Sequence, residues 1–346
     1  MASSPSAEAQ RQAAQQLLTK PTRATSSRSL WASYGTLSFH APELVLKCIT
    51  SPSSTSYSES SARKMLSYHI EANFYAHFST SLPAQIAVPV YLTRTQDPLR
   101  LVLADIRPQY PVLGEKRGTL SEAQLDTALV WLVSFHEHFK DTSVEQPCPT
   151  PELAMKQEWK GDGLWERGGY SYLSTRQEEL DSISSSSPFS RFRRATPRGT
   201  LASALDRYLS ASSGASSIPA TLVHGDFKAA NLAFSRDGSR CCAFDFQYVG
   251  RGRGVCDLVK LLQSSAPPHL LTLDGEKQIV ARYASLRGHA LEQIWEEWEV
   301  ALLDWTRFLA GWGMWGNDEW LTARAEEILA RKGWVESFME RHGTQE

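Results

Sequence analysis

The chain has 346 residues, which at about 100–200 residues per domain makes one large domain or two packed lobes. Its 42% hydrophobic and 21% charged residues are those of a globular protein and exclude a wholly disordered or fibrous chain. Lys+Arg 36 against Asp+Glu 38 leaves a net charge of −2, so no global field favours nucleic acid or an anionic membrane, and any anion site must be local.

Cys48, Cys148, Cys241, Cys242 and Cys256 are scattered, odd in number and without a C-x-x-C pair. Neither a disulfide framework nor a zinc site is expected, and a reducing compartment is the default. No apolar run approaches the roughly 18 residues of a bilayer span. The polar start MASSPSAEAQ lacks the apolar core of a secretory signal, so a cytoplasmic protein is expected. Residues 1–29 carry Arg11, Lys20, Arg23 and Arg28 against the single acid Glu8. They read as a flexible tail or leading helix, with an organelle transit peptide as the alternative.

From residue 30 the pattern alternates. Leu37 and Phe39 form a short strand, and beyond the Pro42 turn Leu44, Val45, Leu46 and Ile49 form a second, which together predict a hairpin. Residues 51–61 are a polar connection. Leu66, Ile70, Phe74 and Phe78 then fall at i,i+4, predicting an amphipathic helix over 63–78. Residues 88–93 and 99–106 read as strands joined at Asp97-Pro98. Past Pro108 helices take over. Ser121-Glu122 precedes apolar Leu125, Leu129, Leu132, Phe135 and Phe139, the pattern of a capped helix. His136 and His138 on it read as a packed or surface pair rather than metal ligands. The Ser-rich stretches 182–187 and 211–217 flank Arg191, Arg193, Arg194 and Arg198, a basic face most simply solvated. Trp295, Trp298, Leu302, Trp305, Leu309 and Trp312 fall at helical spacing and predict a buried helix face.

The segment that carries chemistry is His224-Gly225-Asp226-Phe227-Lys228-Ala229-Ala230-Asn231, followed by a turn at Arg236–Ser239 and the strand Cys242–Phe246. Leu222 and Val223 before it mark a strand end, and the Asp237-Gly238 turn a hairpin. The hairpin brings the chain back beside its start, so Asp226, Asn231 and Asp245 can converge. Two oxygen ligands and a nearby carboxylate suit Mg²⁺, which prefers carboxylate, amide oxygen, water and phosphate. Cys241-Cys242 reads as strand packing.

These residues resemble the catalytic loop of the protein-kinase-like superfamily, in which H-R-D-x-x-x-x-N supplies a base Asp and a metal-binding Asn and a later D-F-G supplies the metal-binding Asp. HGDFKAAN with Gly225, and DFQ with Gln247, are similar to the aminoglycoside phosphotransferase and choline-kinase-like groups, closest to the ecdysteroid-kinase-like (CHK kinase-like) branch. The resemblance spans about residues 30–320 and implies an α+β, bilobal fold: a small antiparallel-sheet N-lobe with one helix and a larger, mainly helical C-lobe. It sets the N-lobe and hinge at 30–106 and the C-lobe at 107–346.

It further implies an ATP- and Mg²⁺-dependent phosphotransferase moving the γ-phosphoryl of ATP to a hydroxyl of a small acceptor. Asp226 is then the base, with Lys228 near the transferred group; Asn231 and Asp245 hold the metal. Lys47, paired with Glu71, grips the phosphates, and backbone groups of the hinge Leu101–Ile106, with Leu103 and Asp105, receive adenine. His224 and Asp257 support the loop. The acceptor pocket is expected between parts of 155–200 and 290–320. No G-x-G-x-x-G lies between the first two strands, where only Gly35 could let backbone approach phosphates, and no A-P-E follows DFQ. Both departures argue against a protein kinase. A nucleotide-holding pseudokinase scaffold, a protein kinase resting on Lys228 and, more weakly, a metal-dependent hydrolase are the rival readings.

Overall fold

The computed structural model describes residues 6–20, 22–50 and 58–344, and the polar connection expected over 51–61 falls mostly outside them. Helix α1 (Ala7–Thr19) opens on Ser6, whose hydroxyl accepts the Ala9 amide hydrogen. It lays Ala14 and Leu17 on the apolar outer face of a sheet, against Leu44, Leu46 and Val102. The sheet comprises β1 (Ser26–Ser29), β2 (Gly35–His40), β3 (Leu44–Ile49), β4 (Tyr91–Gln96) and β5 (Leu99–Ala104), in the order β1-β2-β3-β5-β4 and antiparallel throughout.

The expected hairpin is therefore present as β2 and β3, but Leu37–Phe39 lies in the second strand of the sheet rather than the first. The first, β1, carries the polar residues SSRS, all exposed, so no alternation announces it. Gly35 sits at the start of β2, where a Cβ would collide with the Cys48 carbonyl across the ladder. Its lack of a side chain serves strand pairing; the tight turn at Trp31–Ser33, with positive φ at Ala32 and Ser33, joins β1 to β2.

Helix α2 (Glu59–Asn73) starts on a Ser58–Ser61 capping box, and Phe74–Phe78 continues it as a wider π turn rather than regular α-helix. Its Leu66, Ile70 and Phe74 join the main core.

Beyond the sheet come β6 (Val112–Leu113), α3 (Glu122–His138), α4 (Pro151–Lys156), α5 (Gln177–Ser182), β7 (Ala195–Thr196), β8 (Gly199–Thr200) and α6 (Leu201–Tyr208). Then follow β9 (Thr221–Val223), β10 (Leu232–Phe234), β11 (Cys241–Ala243), β12 (Gly250–Gly252), α7 (Val255–Ser265), α8 (Leu273–Leu286), α9 (Leu291–Trp312), α10 (Asp318–Ala330) and α11 (Trp334–His342). The predicted cap of α3 forms, Ser121 and Gln124 bonding reciprocally. Helix α9 is the axis of this region; α5, α6, α7, α8 and α10 all pack on it. Trp298 and Trp305 are buried on its core face, but Trp312 at its end is 54% exposed, contrary to the fully buried face expected. Among the described residues no helix is long and apolar enough to cross a membrane, and all five cysteines are free thiols.

Candidate active site

Strand β9 delivers the chain into the turn His224–Asp226, and the short hairpin β10–β11 returns it at Asp245. Two constraints shape the turn. Gly225 adopts φ +81°, and a Cβ there would collide with the Tyr248 carbonyl and lie 2.8 Å from the Gly169 nitrogen. A side chain at this position is thus excluded twice, by conformation and by space. From below, Asp257 in the first turn of α7 accepts the His224 amide hydrogen at 2.6 Å and that of Gly225 at 2.9 Å.

His224 is buried and supports the loop as a neutral ring. Its Nε2 donates to the Phe244 carbonyl at 3.1 Å, and its Nδ1 accepts the Asp226 amide hydrogen at 3.3 Å. Burial outweighs the carboxylates around it and lowers its pKa. His136 behaves alike: buried, with burial lowering its pKa against the pull of Asp257, it donates from Nε2 to Asp257 at 3.3 Å and accepts from the Tyr283 hydroxyl at 2.8 Å. It packs in the core, as expected.

The Asp226 carboxylate lies 2.8 Å from the Lys228 ammonium, accepts from Asn231 Nδ2 at 3.1 Å and from the Tyr170 hydroxyl at 3.4 Å. Burial alone would raise its pKa; Lys228, then Lys260, outweigh burial and hold it below the ordinary aspartate range. Because Asn231 Nδ2 also donates to the Asp226 carbonyl at 2.8 Å, the amide nitrogen is committed and Oδ1 is the atom left for other chemistry.

On the facing side of the cleft, Lys47 from β3 bonds Glu71 of α2 at 2.5 Å and Asp245 at 3.2 Å. Burial opposes the Lys47 charge, but Asp245 and Glu71 outweigh it and hold the ammonium protonated, above lysine's ordinary value. Burial pushes the Glu71 carboxyl up, to about 7, against the pull of Lys47. Asp245 has φ +69°, a strained setting for a residue with a side chain, and its carboxylate remains 38% exposed to the cleft. Next to it Phe246 is locked in the core, stacked on Phe74 at 3.9 Å.

Lys47, Glu71, Asn231 and Asp245 share one cleft of about 220 Å³ with Leu37, Val45, Leu103, Asp105 and Phe244. Leu37, Val45, Leu103 and Phe244 offer apolar surfaces on which a flat ring can lie. Asp105 also lines the cleft; its carboxylate is taken by Arg107, whose Nε lies 2.9 Å from both oxygens, and its amide hydrogen goes to the Glu43 carbonyl at 2.8 Å. Arg28 in β1 and Leu30, between β1 and the turn, line the same cleft.

The donor set fits Mg²⁺ only as a partial shell. Asn231 Oδ1 and the Asp245 carboxylate are hard oxygen donors, and no cluster of three or more His, Cys, Asp or Glu able to hold a metal occurs among the described residues. The remaining positions of an octahedral shell would come from phosphate oxygens and water, which is how Mg²⁺ is ordinarily held beside nucleotides.

Sequence reasoning passed over two residues here. Tyr170, in RGGYSY, belongs to no motif. Lys260 lies one helical turn past Asp257 on α7 and is fully buried; its ammonium donates to the Gly225 carbonyl. A lysine at i+3 from a motif aspartate, inside an otherwise apolar helix, was the available signal.

The model of the phosphotransferase enzyme family (APH) matches residues 55–298, and no curated protein matches the chain. Among solved structures, a mutant aminoglycoside 2'-phosphotransferase-IIIa in complex with GDP superposes with a TM-score of 0.50 at 14% identity, over 96% of this chain and 95% of that one. A choline/ethanolamine kinase family protein from Mesorhizobium loti gives 0.47 at 13% identity, over 96% and 98%. Aminoglycoside phosphotransferase APH(3'')-Id from Streptomyces rimosus gives 0.49 at 16%, over 86% and 97%. The likeness to the first of these supports the kinase-like α+β fold of this chain, with an antiparallel sheet before a helical region, and the family match spans well over half the chain: this protein belongs to the phosphotransferase enzyme family.

Proposed function

We propose that the chain is an ATP- and Mg²⁺-dependent kinase that transfers the γ-phosphoryl of ATP to a hydroxyl of a small molecule. One observation carries the reading: a Lys47–Glu71–Asp245 ion-pair chain faces an Asp226–Asn231 pair across a cleft with apolar ring-binding walls. Residues 30–106 with β1 serve as the nucleotide lobe and 107–346 as the acceptor lobe. Gln247 after Asp245-Phe246 favours the ecdysteroid-kinase-like branch of the family.

Asp226, ionised at neutral pH, orients the acceptor hydroxyl and takes its proton as the oxygen attacks the γ-phosphorus and the bond to the β-phosphate oxygen breaks. Lys47, kept charged by its two carboxylates, offsets phosphate charge in a partly dry cleft. Lys228, already on Asp226, lies where it can meet the transferring group. Asn231 Oδ1 and Asp245 would hold Mg²⁺, which neutralises charge on the phosphates when bound. Little covalent work falls to the protein; positioning and charge do the rest.

The test is thermal unfolding of wild type and Asp245→Ala with ATP, with and without Mg²⁺. Nucleotide at about a hundred times its Kd stabilises the fold by about 2.7 kcal/mol. A Mg²⁺-dependent shift in wild type that disappears in Asp245→Ala is expected. No shift with any nucleotide overturns the reading and leaves the scaffold alternative.

A further inference from the structure

Resting on the phosphotransferase reading, we propose that Arg28 of the edge strand β1 holds the phosphate chain of the nucleotide from above, in place of a glycine-rich loop, and that this contact fastens β1 to the sheet when nucleotide binds. Strand register sets the geometry. Arg28 stands opposite Leu37 on β2, Leu37 opposite Lys47 on β3, and Lys47 opposite Leu101 on β5. Directly opposed residues project from one face of a sheet, and all four line the cleft. With neighbouring strands about 4.8 Å apart, the Arg28 and Lys47 backbones lie about 10 Å apart across β2.

The charges along this wall single out Arg28. Lys47 is held by Glu71 and Asp245, and Arg107 by Asp105, with its guanidinium 3.8 Å from the Phe39 ring centroid. Arg28 makes no ion pair and no side-chain hydrogen bond among the described residues. It is the cation of the cleft wall whose charge is uncommitted. A guanidinium presents a planar fork that bonds two phosphate oxygens at once, where an ammonium acts as a point charge.

The backbone between β1 and β2 is partly committed. Gly35, the residue that could have let backbone approach phosphates, abuts the Cys48 carbonyl across the ladder. The Leu30 amide donates to the Gly35 carbonyl at 2.9 Å, and the Ser33 amide to the Leu30 carbonyl at 3.1 Å. A side chain is thus better placed than this turn to supply the contact. It also has a mechanical effect. All four residues of β1 are exposed, so no apolar burial holds the strand, and a charge-assisted bond from Arg28 to a ligand that Lys47 also holds ties the edge strand to β3 across β2.

The experiment titrates adenosine and the magnesium complex of AMPPNP, a non-hydrolysable ATP analogue, into the full chain as wild type, Arg28→Ala and Arg28→Lys. Amide exchange along Ser26–Ser29 is followed with and without MgAMPPNP. Arg28→Ala should weaken MgAMPPNP by about three- to tenfold at about 50 mM salt and change adenosine by less than about twofold. Arg28→Lys should recover part of the loss, and the deficit should shrink as salt rises to about 300 mM. MgAMPPNP should slow exchange along β1 in wild type and not in Arg28→Ala.

Residue 28 is exposed on an edge strand, so the variants are expected to fold. Unchanged MgAMPPNP affinity in Arg28→Ala, an equal loss for adenosine, or slowing of β1 exchange to the same extent in both proteins each overturns the proposal. Should adenosine bind too weakly to titrate, the salt series decides: a deficit that does not change with salt rules out a phosphate contact. Failure of the phosphotransferase reading shows separately, as wild type that binds no MgAMPPNP at all.

Discussion

The Asp257 carboxylate accepts the amide hydrogens of both His224 and Gly225, so the turn that presents Asp226 hangs from the first turn of α7. Replacing Asp257 by Ala leaves two buried amides without an acceptor and removes the partner of His136. A loss of about 2–5 kcal/mol of stability is expected, read from urea unfolding. A loss below about 1 kcal/mol would mean that the turn finds its acceptors elsewhere.

Asp226→Asn keeps the shape of the site, including room for the Asn231 bond, and removes the proton acceptor. Turnover of ATP with a hydroxylated acceptor should fall by about 10²–10⁴, with nucleotide affinity largely retained. Near-normal turnover would show that Asp226 is not the base.

Gly225→Ala places a methyl group against the Tyr248 carbonyl and demands a positive φ from a residue that resists it. The variant should lose at least about 1–3 kcal/mol and most of its activity together, because the strain sits one residue from Asp226. Thermal unfolding and turnover measured on one preparation would separate this from a purely local effect: full stability with normal turnover contradicts the geometry.

The buried imidazoles of His136 and His224 set an acid limit. Burial depresses both values in the folded protein, so as pH falls below about 6.5 the unfolded chain takes up protons first. The stability they contribute is complete above that pH and is lost on acidification, at up to about 1.4 kcal/mol per pH unit for each ring. Urea unfolding between about pH 7.5 and 5.5 should show the decline, and His136→Gln should flatten it. Constant stability across that interval would mean that the rings are not held neutral.

Much of this site could be read from the chain because its partners lie within short motifs. Asp226 and Asn231 are joined by a loop whose spacing fixes their bond, and Asp257 reaches amides that the same motif defines. The alternation of β2 and β3 and the cap of α3 were equally plain, since each is a local pattern. Other features had no local cause. Strand β1 has four exposed polar residues and exists only through its ladder with β2. Tyr170 meets Asp226, and Arg107 claims Asp105, through contacts that no periodicity encodes. Trp312 continues a helical stripe beyond the point where the core ends, so periodicity alone could not tell its burial from its exposure.

The ladder with β2 also governs how the nucleotide cleft can yield. Because β1 hides no apolar side chain, unzipping it from β2 sacrifices backbone hydrogen bonds that water can replace and uncovers no core. Arg28 and the turn to β2 are therefore fastened to the cleft by its least costly attachment, while Lys47 on β3 is gripped from both sides of the sheet. Amide exchange should divide the roof of the cleft accordingly, fast along Ser26–Ser29 and slow along β3, so that a ligand can enter beneath the edge strand without disturbing the charge that receives it.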